Sequence, residues 1–134
     1  MILQIINKRT ISNTRSKLKF KNLLEAVKYT AKIADDKKAN FIKVLDMRSR
    51  LIITDFFIII GAKNTRLTRR IEEEIRIKLK EYRRYPIHIS GSAKGNWILI
   101  DYDNFVIHIF TDEFRLYYDL ERLWRDSKVI EWQN

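Results

Sequence analysis

The chain has 134 residues, of which 46% are apolar and 12% aromatic, with only three Gly and one Pro. This length and composition predict a single folded domain and exclude disordered, collagen-like and Gly/Pro-rich linker classes. The absence of cysteine excludes a disulfide scaffold, thiolate metal sites and a cysteine nucleophile. The longest strongly apolar run, Phe56 to Ala62, is much shorter than the ~20 residues that a membrane-spanning helix needs.

The net charge of +10 is concentrated at the N-terminus, because residues 1–21 hold six bases and no acid. Such an arm predicts either an electrostatic contact to nucleic acid or a solvated tail. The candidate RNA contacts are Lys8, Arg9, Arg15 and Lys17. An acid-free N-terminus also fits an organelle transit peptide. We therefore treat residues 1–21 as a basic extension and expect a cytoplasmic protein, with an organelle matrix as the alternative location.

Three helices are predicted from apolar residues that recur at three- and four-residue spacing. They begin near Asn22, Asn64 and Thr111, whose side chains can cap a helix N-terminus. Pro86 ends the second helix, because proline disfavours helical backbone at the residue before it. The third helix is expected to bury one apolar stripe, formed by Leu116, Tyr117, Leu120, Leu123 and Trp124.

Five strands are predicted, at residues 41–45, 55–61, 87–89, 97–102 and 105–110. The last two form a hairpin that turns at Asp103-Asn104, since Asp and Asn tolerate positive φ. The helix between the second and third strands can connect two parallel strands through a right-handed crossover. The predicted fold class is therefore α/β, a mixed five-stranded sheet covered by helices.

One pattern in the chain is typical of an enzyme. Gly91-Ser92, separated by eight residues from Asp101-Tyr102-Asp103, resembles a nucleotidyltransferase signature, in which a Gly-Ser loop holds phosphates and two acids hold a divalent metal. Here residues 93–96 predict a turn rather than the helix N-terminus that would bind phosphate, and Asp103 falls in the hairpin turn. We therefore expect no catalytic residue, metal or cofactor, and keep a small metal-dependent nucleotidyltransferase as an alternative.

The predicted hairpin concentrates aromatic and acidic residues. Strand alternation puts the odd-numbered residues of 97–102 on one face and the even-numbered residues on the other. If one face is core, the other exposes Trp97 beside Asp101, an arrangement typical of a protein-binding hot spot; helices on both faces are the alternative. Residues 95–114 contain four acids and no Lys or Arg, which suits a basic protein partner.

The hairpin and the segment after it also carry a family resemblance. Residues 95–102 (GNWILIDY), 106–110 (VIHIF) and 113–124 (EFRLYYDLERLW) resemble the running pattern of the ribosomal silencing factor (RsfS, Iojap) family. Residues 43–46 and 53–59 also fit, and the resemblance extends from about Leu23 to Asp126. Ser90 replaces the acid that usually precedes the first glycine, and Asp103 replaces the turn glycine.

The resemblance implies a non-enzymatic translation factor with a nucleotidyltransferase-like core. It implies binding to the large ribosomal subunit through large-subunit protein fourteen, which sterically blocks subunit joining and represses translation. The partner-binding residues that it implies are Trp97, Ile98, Asp101, Tyr102 and Asp103, with neighbours in the final helix. The predicted RsfS-like domain covers residues 22–126, with a C-terminal tail at 127–134.

We expect a monomer or a weak homodimer. A general RNA-binding module using the basic arm is a further alternative, but such a module needs aromatic residues within its basic patch.

Overall fold

The computed structural model describes residues 18–50 and 54–134. The helices in these ranges are α1 (Leu23–Asp36), α2 (Thr65–Lys80) and α3 (Asp112–Tyr117), and a short 3-10 helix (Leu120–Leu123) follows α3. The strands in the same ranges are β1 (Phe41–Asp46), β2 (Phe56–Ala62), β3 (His88–Ser90), β4 (Trp97–Asp101), β5 (Phe105–Thr111) and β6 (Lys128–Ile130). Within the described ranges, no helix is both long and apolar enough to cross a membrane.

The strands form one mixed sheet in the order β3-β4-β5-β2-β1-β6. The central pair, β2 and β5, is parallel, with Ile59 opposite His108, and the other neighbouring strands are antiparallel. The crossover through α2 carries the chain from β2 to the edge strand β3. This arrangement confirms the predicted α/β class.

The strand count differs from the prediction, because the described residues form six strands rather than five. The additional strand, β6, lies in the segment expected to be a C-terminal tail and pairs with β1, with Val44 opposite Ile130. A three-residue edge strand is too short to show an alternating apolar pattern, so the sequence carried no signal for it.

The predicted third helix is also different in the structure. It stops at Tyr117, because Asp119 adopts the left-handed region (φ 48°) and the chain continues as a 3-10 helix. The expected apolar stripe is therefore broken. Tyr117 and Leu123 are 79% and 75% exposed, whereas Trp124 turns into the core.

The helix boundaries follow local capping chemistry. The side chains of Asn22 and Asn64 accept hydrogen bonds from the backbone N–H groups of Glu25 and Leu67, both at 2.9 Å. Thr111 caps α3 in the same way through Phe114 N–H, at 3.2 Å. These bonds satisfy backbone donors that have no partner inside the helix, and they confirm the predicted starting points.

The two sheet faces are covered unequally. Helices α1 and α2 pack against one face through a large core that includes Ile58, Ile100 and Ile107. The C-terminal segment, from α3 to Trp124, covers only part of the other face, through a smaller cluster with Ile59 and Phe110. The hairpin β4–β5 therefore has one buried face and one partly open face, which was the first of the two predicted alternatives.

Gly91 directly follows β3 and lies against the backbone of Trp97, the first residue of β4, so its replacement is expected to destabilise the domain. Its φ is +84°, and an added Cβ would lie 1.9 Å from the carbonyl oxygen of Trp97. Gly91→Ala should therefore lower the free energy of unfolding by at least ~2 kcal/mol, measured by urea denaturation. Lys94→Ala, at an exposed position of the same turn, should change it by less than ~0.5 kcal/mol. Equal effects of the two substitutions would contradict this account of the turn.

Candidate functional site

The partly open side of the sheet carries a continuous group of rings that we call the aromatic face. Its members are Phe57, Trp97, His108, Phe110, Phe114, Tyr117 and Tyr118. Neighbouring ring centroids lie 4.6 to 6.2 Å apart along this group, which is the range of favourable aromatic pairs. The group therefore extends from the sheet onto the C-terminal segment.

Trp97 is the largest exposed side chain of β4, with 47% of its surface accessible. Its indole Nε1–H donates a hydrogen bond to Nδ1 of His108 at 3.1 Å. The Nε2 atom of His108 is buried and has no hydrogen-bond partner among the described residues. The bond from Trp97 requires an unprotonated Nδ1, so His108 is neutral and holds the indole ring in one orientation.

Burial also explains the charge state of His108, because it lowers the imidazole pKa from 6.5 to about 4. A neutral His108 leaves the aromatic face without a positive charge at pH 7. Arg115 at its border does not change this. The Arg115 guanidinium pairs with Glu121 and with Asp112, the latter at 3.8 Å, and lies 4.2 Å from the Phe41 ring centroid.

A small apolar cavity of about 110 Å³ opens beside Trp97. Its wall includes Phe57, Phe110 and Leu123. The exposed Trp97 ring and this recess together form the surface most suited to an apolar anchor from another protein, because binding energy concentrates where a side chain fills a dry pocket.

The two acidic residues of the hairpin end stabilise its turn. The backbone N–H of Asp103 donates to Oδ1 of Asp101 at 2.7 Å, and Asp103 has a φ of 74°. This confirms the predicted turn and shows why aspartate is tolerated there. Asp103 is exposed and Asp101 half-buried, so both contribute negative charge next to the aromatic face.

Two of the five predicted partner-binding residues point away from the aromatic face and into the core. Ile98 is completely buried and Tyr102 nearly so, in the core against α1 and α2. Burial and the nearby Glu72 carboxylate raise the pKa of the Tyr102 phenol. Their side chains are therefore not available to a partner, because strand alternation sends even-numbered residues of β4 inward. Trp97, Asp101 and Asp103 are the members of the predicted set that reach the surface.

The Gly-Ser loop does not form a phosphate cradle. Thr68 Oγ1 donates to the carbonyl of Gly95 at 2.7 Å, and Arg69 reaches the carbonyl of Ala93 at 3.4 Å, so the loop packs on α2. The loop leads directly into β4 rather than into a helix. In the part of the chain that the structure describes, no group of three or more His, Asp or Glu side chains could hold a metal ion.

Sequence reasoning missed the exposed residues of the C-terminal segment. The helical spacing predicts that Leu116 and Tyr117 lie in a buried stripe, but they are 67% and 79% exposed. The available signal was Asp119, a residue type that tolerates left-handed backbone and so can end a helix. The candidate RNA contacts Lys8, Arg9, Arg15 and Lys17 lie outside the described residues.

Comparison with known proteins places the chain in a family. The family model described as "Ribosomal silencing factor during starvation" (RsfS) matches residues 21–134. The "Ribosomal silencing factor RsfS" of Bacillus subtilis is 30% identical over 110 residues, which cover 82% of this chain and 93% of that protein. "Protein Iojap, chloroplastic" of Zea mays is 35% identical over 103 residues, covering 75% of this chain and 44% of that protein.

Solved structures agree with these matches. A crystal structure of a Chromobacterium violaceum protein superposes with a TM-score of 0.74 at 26% identity, covering 80% of this chain and 89% of the other. One from Bacillus halodurans gives 0.71 at 29% identity, with 80% and 97% covered. The chain belongs to the RsfS family of ribosomal silencing factors, which confirms the resemblance read from the hairpin and the segment after it.

The burial of His108 predicts a pH-dependent stability. His108 has a pKa of about 4 when folded and 6.5 as its ordinary value, so the unfolded chain binds the proton more readily. Neutral His108 makes its full contribution to the free energy of unfolding above pH ~6.5. This contribution, up to ~3 kcal/mol, is lost as the pH falls through about 4. Urea denaturation at several pH values should show that His108→Phe removes this part of the acid sensitivity.

The matched control is the other histidine, His88, which is exposed. His88→Gln should keep the acid sensitivity of the parent protein. The same pH profile for His108→Phe and the parent would show that His108 is not held neutral by its surroundings.

Proposed function

We propose that this protein binds the large ribosomal subunit through its aromatic face and thereby keeps the small subunit from joining, which represses translation. The expected direct partner is large-subunit protein fourteen, as the family resemblance implies. The family model and the names of its relatives support the ribosomal part of this proposal. We propose that the protein acts in the cytoplasm, as a monomer or a weak homodimer, and without catalysis, metal or cofactor.

The observation that carries the proposal is the exposed, oriented Trp97 next to an apolar recess. The hydrogen bond to His108 fixes the indole ring before any partner arrives. A fixed ring loses little conformational freedom on binding, and this raises the affinity that its contact area can give. Trp and Tyr are also the residue types that most often dominate protein interfaces.

Charge supports a basic partner. Four of the seven members of the aromatic face lie within residues 95–114, a stretch that has no Lys or Arg. Asp101 and Asp103 border it at the hairpin turn, and Glu113 is exposed at the start of α3. Opposite charge on a partner would speed association and fix its orientation, whereas phosphate would be repelled.

The basic extension adds a second element to the proposal. Residues 1–21 would make an auxiliary contact to ribosomal RNA, because six bases without an acid attract phosphate over a distance set by salt screening. This contact would add affinity but no specificity, since phosphates carry no direct sequence information.

Truncation of Trp97 should abolish stable association with the large subunit. Loss of an aromatic anchor typically costs ~2–4 kcal/mol, or roughly 30- to 1000-fold in affinity. Co-sedimentation of Trp97→Ala with purified large subunits measures this directly. Tyr85→Ala removes an aromatic ring of comparable exposure outside the aromatic face and should bind like the parent protein.

A melting curve of each variant separates binding from folding. Trp97 is about half exposed, so its truncation should leave the domain folded. Normal association of folded Trp97→Ala would place the interface elsewhere, and the exposed C-terminal segment would be the next surface to test.

Asp101 should contribute through its charge. Asp101→Ala and Asp101→Lys both remove the hydrogen bond that caps the hairpin turn, so they share one structural defect. Only the lysine places a positive charge against a basic partner, and that repulsion should make Asp101→Lys at least ~10-fold weaker than Asp101→Ala in the same sedimentation assay. Equal binding by the two variants would show that Asp101 does not face a charged partner.

A further inference from the structure

A second concave surface lies on the helical side of the sheet, and its lining is mainly cationic, unlike that of the aromatic face. It is a hollow of about 440 Å³ between the end of α1 and the start of α2, and we call it the basic hollow. Its lining residues are Asp36, Lys37, Lys38, Asn40, Lys63, Leu67 and Arg70. The lining therefore holds four cationic side chains, one acid and a single large apolar residue.

Most of this positive charge is uncompensated. Lys37 lies 3.9 Å from Glu74, but the same carboxylate also binds Lys78 at 3.6 Å. Among the described residues, Lys38, Lys63 and Arg70 have no acid within 4.0 Å. Three neighbouring cations thus face the hollow without an ion pair.

The start of α2 adds to this charge. Its first turn contains no acid, and Arg66 precedes Arg70 by four residues on the same helix face. Cations are unfavourable at this end of a helix, because the aligned peptide dipoles make it positive. An anion bound in the hollow would relieve both this repulsion and the repulsion among the lysines.

Lys38 occupies a backbone position that favours glycine. Its φ is 70°, in the left-handed region that follows the end of α1. Lysine is less stable than glycine there. The chain therefore accepts a local backbone cost at the position that brings one of the unpaired cations to the hollow.

We propose that the basic hollow binds the phosphate backbone of RNA. A protein partner would need an apolar or aromatic anchor, and the hollow offers only Leu67. Phosphate binding needs only concentrated positive charge, since its affinity comes from the release of counterions. The inference rests on the charges of the hollow alone and stands independently of the function proposed for the aromatic face.

The test is the binding of a fluorescently labelled RNA hairpin to the full chain, followed by anisotropy across a range of salt concentrations. Lys38→Gly and Lys63→Gln should each weaken binding roughly 4-fold near physiological salt and lower the salt slope by about one unit. Arg83→Gly is the matched control, because Arg83 is also an exposed cation with positive φ (60°). It follows the other end of α2, about 24 Å from Thr65, and its replacement should leave RNA binding within experimental error.

Lys38→Gly also removes the ambiguity between binding and folding. Glycine suits the left-handed backbone, so this variant should melt at or above the temperature of the parent protein. Weaker RNA binding by a chain of equal or higher stability cannot come from unfolding. Trp97→Ala should bind the hairpin normally, which separates this proposal from the one for the aromatic face.

Two outcomes would overturn the proposal. Equal weakening by Lys38→Gly, Lys63→Gln and Arg83→Gly would show that the net charge of the whole chain, rather than the hollow, attracts RNA. Unchanged RNA binding by Lys38→Gly, together with weaker binding of a polyglutamate peptide, would identify the hollow as a site for an acidic protein segment.

Discussion

The unequal covering of the sheet is the constraint from which the rest of the molecule follows. Helices α1 and α2 bury most of one face, while the chain that remains after β5 is too short and too irregular to bury the other to the same extent. A six-residue helix, a 3-10 turn and Trp124 protect the centre of that second face and leave Trp97 at its border. The aromatic face is thus an apolar layer that the rest of the described chain covers only in part.

Two surfaces of opposite charge result from this arrangement. The aromatic face is bordered by acids, and the histidine within it is neutral because of its burial. The basic hollow lies on the helical side, where α1 ends and α2 begins. We propose that the aromatic face contacts a basic ribosomal protein and that the basic hollow contacts phosphate, so that neither surface repels its partner.

Much of the fold follows from local rules in the sequence. The caps at Asn22 and Asn64, and the positive φ of Asp103, lie where side-chain chemistry predicts them. Alternation along β4 also predicts that Trp97 and Ile98 face opposite sides. The partner-binding set taken from the family pattern joined residues from both faces, because a linear motif records which residues recur and not where their side chains point.

Other features depend on tertiary contacts that leave no local pattern. Strand β6 is only three residues long and forms because β1 offers a free edge. The helical period after Thr111 continues through Trp124 in the sequence, but the left-handed Asp119 interrupts it in the structure. The helical period alone therefore predicts that Leu116, Tyr117 and Leu123 belong to a buried stripe, but they are exposed and extend the candidate interface.

The most direct test of the central claim is oxidative footprinting of the protein, free and bound to purified large ribosomal subunits. The account predicts strong protection of Trp97 and Tyr117, which are exposed in the free protein. Reactivity of Tyr29 and Tyr82, which contact each other on the helical side, should not change. Protection of the Tyr29–Tyr82 pair with unchanged oxidation of Trp97 would contradict the assignment of the aromatic face as the ribosome-binding surface.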